Sequence, residues 1–444
     1  MNIERVRVKG LFDRFDHDLR FHSDERIMIV IGPNGFGKTT TLQLIEVLFN
    51  QSMRRVAGMP FRSIEVLFDV GTTLVATRET SEGQDDGLLP LRLVLQDGSG
   101  ELKTFHPHRV PIDPSELGFP ISAIEDLIPI LERVGRREWR NTITGEVLDL
   151  DDVLIVFRDE LPERVRQSSA HLPGWLQDVR SGVAVRFIDT ERLTRMPKQT
   201  WRRSRGDHPR RTVQIYSDEL AGLVRQSIAE YATLSQSLDR TFPARLVAGI
   251  SSSDGSMYTL LEELDAIKQK RSQLEETGLL TSDEASIEIP NLNQMDDSRL
   301  GVLAVYAQDT RQKLGVFDDL YRKVNAFMRI ANSRLRYKQV TVSAEGLNVV
   351  SSAGENLDLE MLSSGEQHEL VILYELIFRT SQNSLILIDE PELSMHVAWQ
   401  EQFVEDLEEM AMLSEFRAIL ATHSPEIIGD RWDLAIELQG PNGE

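Results

Sequence analysis

Two segments more than 300 residues apart read as halves of one phosphate site, so a single sheet must be built from both ends of this chain. The first half is Gly32-Pro33-Asn34-Gly35-Phe36-Gly37-Lys38-Thr39. An apolar run from Glu25 to Ile31 precedes it and reads as a buried strand; an apolar-striped stretch from Thr40 to Phe49 follows and reads as a helix. In that context backbone N–H groups turn inward around a β-phosphate at a helix N-terminus, where the dipole favours an anion. Gly32, Pro33, Asn34, Gly35, Gly37 and Thr40 form the cradle, Lys38 reaches the β/γ-phosphates and Thr39 ligates the metal. The implied cofactors are ATP and Mg²⁺.

The second half supplies the acids. Ser384 to Ile388 is a short apolar run ending in Asp389-Glu390, which puts two carboxylates at the C-terminal tip of a parallel strand, the edge where α/β sheets bind ligands. Asp389 is the candidate Mg²⁺ ligand. Glu390 is the candidate base that orients and deprotonates the attacking water, because phosphoryl transfer asks mostly for positioning. Another apolar run, Arg417 to Ala421, leads into Thr422-His423, where the imidazole can meet the γ-phosphate or the water.

Leu362-Ser363-Ser364-Gly365-Glu366-Gln367, followed by a helix, resembles the signature of ABC-type ATPases in the variant of the RecF, Rad50, SMC and OLD families. The order loop, signature, Asp-Glu, His is that superfamily's order. Tyr374-Glu375, Ile388 to Pro391 and His396-Val397-Ala398-Trp399-Gln400 narrow the likeness to the compact AAA-15/AAA-21 ATPases of bacterial defence operons, as does Ile3 to Phe12. The resemblance spans roughly residues 1–50, 180–195 and 337–435. It implies an ATP-sandwich homo-oligomer in which Ser363, Ser364 and Gly365 cap the γ-phosphate held by Lys38 of another copy, with Ser394 in the loop that crosses between copies. Taken alone, Ser363 to Glu366 reads first as an ordinary serine cap with glutamate in the first turn; its place in the motif order favours the signature. No glutamine stands out for the family's Q-loop.

Composition excludes several classes. The chain has 444 residues, room for two or three domain-sized units. It has no cysteine, so thiolate metal sites, disulfides and cysteine catalysis are out, and a reducing cytoplasm fits. With no apolar stretch of membrane-spanning length and a polar start, the expectation is a soluble cytoplasmic protein that touches no membrane. His106 and His108 alternate, but no carboxylate or third histidine makes them a metal site. A net charge of −22 argues against a surface that clamps DNA as a whole. Arg192 to Arg211 runs against that balance, with Arg192, Arg195, Lys198, Arg202, Arg203, Arg205, Arg210, Arg211 and Trp201. It could meet nucleic acid or an acidic protein, or be a solvated loop.

Along the chain, Ser63–Val70 with Thr73–Arg78 and Leu91–Leu95 with Glu101–Phe105 read as hairpins of an antiparallel β lobe, joined by a polar loop over 80–87. Pro114–Arg136 and Asp151–Arg166 read as helical, and Val183–Ile188 as a strand returning to the sheet with Asp189 to Arg192 at its tip. Apolar periodicity over Leu220–Leu238, Leu260–Leu274 and Leu303–Leu335, broken near 251–256 and 281–293, predicts a helical hairpin or small bundle, not a long coiled coil. Gln339–Val342 and Leu347–Ser351 read as strands before the signature. The fold class expected is α/β: an ABC-type P-loop ATPase with an antiparallel β lobe and a mostly helical insertion. Residues 1–212 and 337–444 would make the ATPase domain and 213–336 the insertion, a place for oligomer or partner contacts.

About 20 residues follow His423, too few for the Toprim nuclease domain of OLD-family relatives. The resemblance therefore implies an ATPase subunit that acts through a separate effector, a nuclease or toxin, in anti-phage defence of PARIS type, or less closely of Septu type. The alternative is a RecF-like ATP-dependent DNA clamp in repair; a transporter ATPase fits the helical insertion less well.

Overall fold

The computed structural model describes residues 1–22, 25–79, 89–98, 100, 102–107, 120–128, 130–141, 147–157, 161, 172–188, 212–247, 257–281, 297–395 and 397–440. The chain divides into two compact units, Met1–Pro209 with Arg379–Glu444, and Arg210–Phe378.

The first unit is built as the split site requires. Its five-stranded sheet is parallel throughout, in the spatial order Val185–Ile188, Leu385–Asp389, Arg417–Ala421, Ile27–Ile31, Ala435–Glu437. Strands covered on both faces need continuous apolar runs, and Leu385–Asp389 is buried over its first four residues. Arg417–Ala421 lies between the strand that feeds the glycine-rich loop and the strand that ends in Asp389. At about 4.8 Å per strand, this sets the acidic tip about 10 Å from the loop, with the Thr422-His423 end between them. Helix Lys38–Asn50 covers one face, placing Leu42, Leu44, Ile45 and Leu48 in the core.

Against the same core packs a six-stranded antiparallel sheet, ordered Phe15–Arg20, Ile3–Leu11, Ser63–Phe68, Thr73–Arg78, Leu91–Gln96, Leu102–Phe105. Strict alternation buries Ile64, Val66 and Phe68 on one side while Ser63, Glu65 and Leu67 stay half-buried. The expected hairpins form this sheet. Residues 80–88, which hold the expected polar loop, lie outside the described ones.

The helix expected over Pro114–Arg136 is corrected where the chain is described. A 3₁₀ turn Ile121–Ala123 and a short helix Ile124–Leu127 give way to strand Leu131–Arg133, which pairs with Glu138–Asn141 and then Val147–Asp149. Trp139, fully buried, organises this small core with Ile124, Leu131, Leu148 and Leu154. Of the helix expected over Asp151–Arg166, Leu150–Val156 is described.

The second unit carries helices Thr212–Val247, Met257–Glu276, Asp297–Gly315 and Asp318–Arg334, then a three-stranded sheet of Lys338–Ser343, Gly346–Ser351 and Asn356–Leu357, then helix Ser364–Phe378. Among the described residues its longest helix has 36 residues, about 54 Å, and no long coiled coil occurs. The single periodic run Leu303–Leu335 proves to be two helices broken at Val316-Phe317. Compactness also places the strands after residue 337 and the signature helix with the helical unit, because they pack on Thr212–Val247 and Asp318–Arg334.

Candidate nucleotide site

Strand Ile27–Ile31 delivers the chain into a turn that needs glycine at two positions. Gly35 has φ 86° with open space around it, so its backbone conformation is what excludes a side chain. Gly37 has φ 81°, and a Cβ there would sit 2.5 Å from Leu11 Cδ2. Gly37 also starts helix Lys38–Asn50 with no side-chain cap and no acid in the first turn. The leading N–H groups stay available, as an anion site requires.

Nine residues line one pocket of about 230 Å³ in the first unit: Phe12, Asn34, Gly35, Gly37, Lys38, Thr39, Thr40, Glu390 and His423. Lys38 is 5% exposed, and its Nζ donates to the carbonyls of Gly32 (2.7 Å) and Pro33 (3.3 Å) and to His423 Nε2 (2.5 Å). Burial pulls its ammonium below the ordinary lysine value, against the attraction of Glu390, Asp389 and Glu392. The loop thus holds its own lysine on backbone carbonyls.

Asp389 ends its strand level with Ala421, which is level with Val30. Burial and neighbouring Glu390 push its carboxyl above the usual carboxylate range, while a hydrogen bond from Thr39 and the charge of Lys38 pull it down. Its Oδ1 is buried without a hydrogen-bond partner. An orphaned carboxylate oxygen beside a threonine hydroxyl fits Mg²⁺, which takes one carboxylate and completes its octahedron with phosphate and water. Among the described residues no group of three or more His, Asp or Glu side chains is arranged to hold a metal ion.

Glu390 follows in the left-handed region (φ 44°), its N–H donating to Ala421 O at 2.9 Å. A non-glycine residue held there is strained by about 1–3 kcal/mol, and such strain gathers at sites where a side chain must be aimed. Its Oε1 lies 3.8 Å from His423 Nε2. Glu392 Oε1 accepts from the Thr422 hydroxyl and the His423 N–H, both at 2.8 Å, and so fixes the histidine's backbone.

Three contributors escaped the sequence reading. Phe12, 44% exposed and at φ 54°, turns an aromatic ring to the pocket. His17, buried, donates through Nε2 to Phe36 O at 2.8 Å and braces the loop from behind. Glu392 is the third. The alternation of Phe15, His17 and Leu19 marks His17 as inward-facing, but nothing in the sequence pairs it with residue 36.

Among the other candidates, Ser363, Ser364 and Gly365 open helix Ser364–Phe378 of the second unit. Ser394 closes the 3₁₀ helix Pro391–Ser394. Asp189 to Arg192, the arginine-rich Arg192–Arg211, His108 and His396 lie outside the described residues. His106 Nδ1 lies 3.8 Å from Glu79 Oε2, just past the strand Leu102–Phe105.

Residues 267–429 match the family model of the AAA domain described as a putative AbiEii toxin of a type IV toxin–antitoxin system. That span holds the signature, the acidic pair and His423. No curated protein matches the sequence. Solved structures with a distant likeness include the SMC head domain from Thermotoga maritima, at 11% identity and TM-score 0.33 over 98% of this chain and 92% of that one. Another is the Smc head domain with an extended coiled coil bound to the C-terminal domain of ScpA from Pyrococcus furiosus, at 11% identity and TM-score 0.32 over 96% and 91%. Sheet order, loop, acidic strand tip and His-bearing strand define an ABC-type P-loop ATPase fold. The family match covers the C-terminal part of the chain, where the likeness is to that AAA family.

Proposed function

We propose that the chain binds Mg²⁺-ATP in the pocket between Gly35 and Glu390 and hydrolyses it. The observation that carries this is the convergence of Lys38, Thr39, Glu390 and His423 on one pocket, with Asp389 bonded to Thr39 beside it. Lys38 leaves the Gly32 and Pro33 carbonyls for the β/γ-phosphates. Thr39 and Asp389 hold Mg²⁺, which supplies charge neutralisation at the phosphates. Glu390 takes a proton from water as its oxygen bonds to the γ-phosphorus and the bond to the β,γ-bridging oxygen breaks, leaving ADP and phosphate. His423, fixed by Glu392, donates to the γ-phosphate. Phe12 packs on the nucleotide's base or ribose.

In this reading residues 1–212 and 337–444 form one ATPase domain and 213–336 an insertion. Two copies close on ATP, with Ser363, Ser364 and Gly365 of one capping the γ-phosphate on the other and Ser394 near the crossing. The match to a toxin–antitoxin family supports an ATPase that controls a separate nuclease or toxin in anti-phage defence.

The test is a pair of variants. Lys38→Ala abolishes nucleotide binding by calorimetry; retained affinity removes the loop assignment. Glu390→Gln binds ATP but turns over about 10²- to 10⁴-fold more slowly, the usual worth of a general base. Wild-type turnover in that variant would remove Glu390 as base.

A further inference from the structure

The signature turn is not free in this structure. Ser363 donates twice to Glu366 Oε2, from its N–H at 2.8 Å and from its hydroxyl at 2.9 Å, while the Glu366 N–H points back at Ser363 Oγ at 3.3 Å. This is a reciprocal capping box, and it consumes the hydroxyl hydrogen that a phosphate would need. Lys338 then clamps the carboxylate from the neighbouring strand, with Nζ 2.8 Å from both Oε1 and Oε2. The pair is sheltered, with side-chain exposures of 23% for Lys338 and 14% for Glu366.

We propose that Lys338 is the positioning residue that lets this turn accept a phosphate. It does so by neutralising Glu366 while the Ser363 hydroxyl switches its hydrogen from carboxylate to phosphate oxygen. A phosphate at the start of this helix arrives within one turn of the Glu366 carboxylate, and two like charges in a sheltered place repel. Without Lys338 that repulsion opposes the helix dipole, and Glu366 competes unchecked for the serine. With Lys338 the carboxylate stays paired when the serine leaves it, so the switch exchanges one hydrogen bond for another without stranding a charge. Lys338 begins the strand that follows helix Asp318–Arg334, so whatever moves that helix bears on the same switch. The proposal rests on the reading that Ser363 to Gly365 cap nucleotide on a second copy.

The experiment measures ATP-dependent assembly by sedimentation in a Glu390→Gln background, with ATP affinity of the single chain measured in parallel. A parent that stays the same mass with Mg²⁺-ATP removes the capping reading, and this proposal with it, before any Lys338 variant is made. Given assembly, Lys338→Met weakens it about 10- to 100-fold, the ordinary range of site–site coupling, with ATP affinity unchanged. Lys338→Arg keeps it. Glu366→Gln alone assembles at least as well as the parent, and Lys338→Met with Glu366→Gln recovers most of the loss. A lysine that only supports the fold gains nothing from removing its partner's charge. Undiminished assembly of Lys338→Met, weakened assembly of Glu366→Gln, or a double variant as weak as Lys338→Met alone overturns the proposal.

Discussion

At the scale of single residues, the site is a set of groups held in states they would not choose in water. Lys38 is buried on carbonyls, Asp389 is desolvated with an orphaned oxygen, and Glu390 sits at positive φ. His17 gives the clearest pH signature, because burial lowers its imidazole below the ordinary value despite the hydrogen bond to Phe36 O. A depressed histidine contributes stability that is present above its unfolded value and lost as pH falls through the folded one, since the unfolded chain takes up protons the folded chain refuses. Thermal unfolding followed downward from about pH 6.5 should therefore show a declining midpoint. His17→Gln should flatten part of that decline, and an unchanged slope removes His17 as a contributor. Lys38, Thr39, Asp389, Glu390 and His423 were legible because each belongs to a local pattern whose chemistry fixes the residue type. Phe12, His17 and Glu392 were not, because each acts through a residue of another element, His17 on Phe36 and Glu392 on Thr422 and His423, and no local pattern marks those contacts.

Among elements, helix Ser364–Phe378 is the most constrained. Gln367 to Ile377 are buried, including Gln367, His368, Glu369 and Glu375. Glu369 pairs with Arg334, each 2% exposed, and the Tyr216 hydroxyl donates to Glu375. Tyr374 stacks on Tyr216 and Phe378 at 4.6 and 4.9 Å between centroids. Removing one partner from a buried ion pair leaves a charge without its counter-ion and costs about 3–5 kcal/mol. Glu369→Ala should lose about that much by denaturant unfolding, while exposed Glu360→Ala should lose under about 0.5 kcal/mol. A loss under 1 kcal/mol for Glu369→Ala would mean the pair is solvated. Long periodic helices and alternating hairpins were readable at this scale. The Trp139 sheet was not: its three- and four-residue strands are too short to show a period of two, and their apolar spacing also satisfies a helix.

For the whole molecule, ligand linkage is the decisive observable. Mg²⁺-ATP at 100 times its Kd should stabilise the folded chain by about 2.7 kcal/mol, and Lys38→Ala should erase the rise in melting temperature. An equal rise in that variant would place the nucleotide elsewhere. No helix among the described residues is long and apolar enough to cross a membrane. The sequence by itself determined that the glycine-rich loop, the acidic pair and the histidine, far apart in the chain, share one sheet edge, because a glycine-rich turn after a buried strand and apolar runs ending in polar tips are local patterns. Only the tertiary structure decided that Arg417–Ala421 separates loop from acids, that His17 and Glu392 brace them, and that Lys338 holds the signature's glutamate. Those contacts depend on strand order and register, which are set by packing summed over the whole core and leave no local mark in the chain.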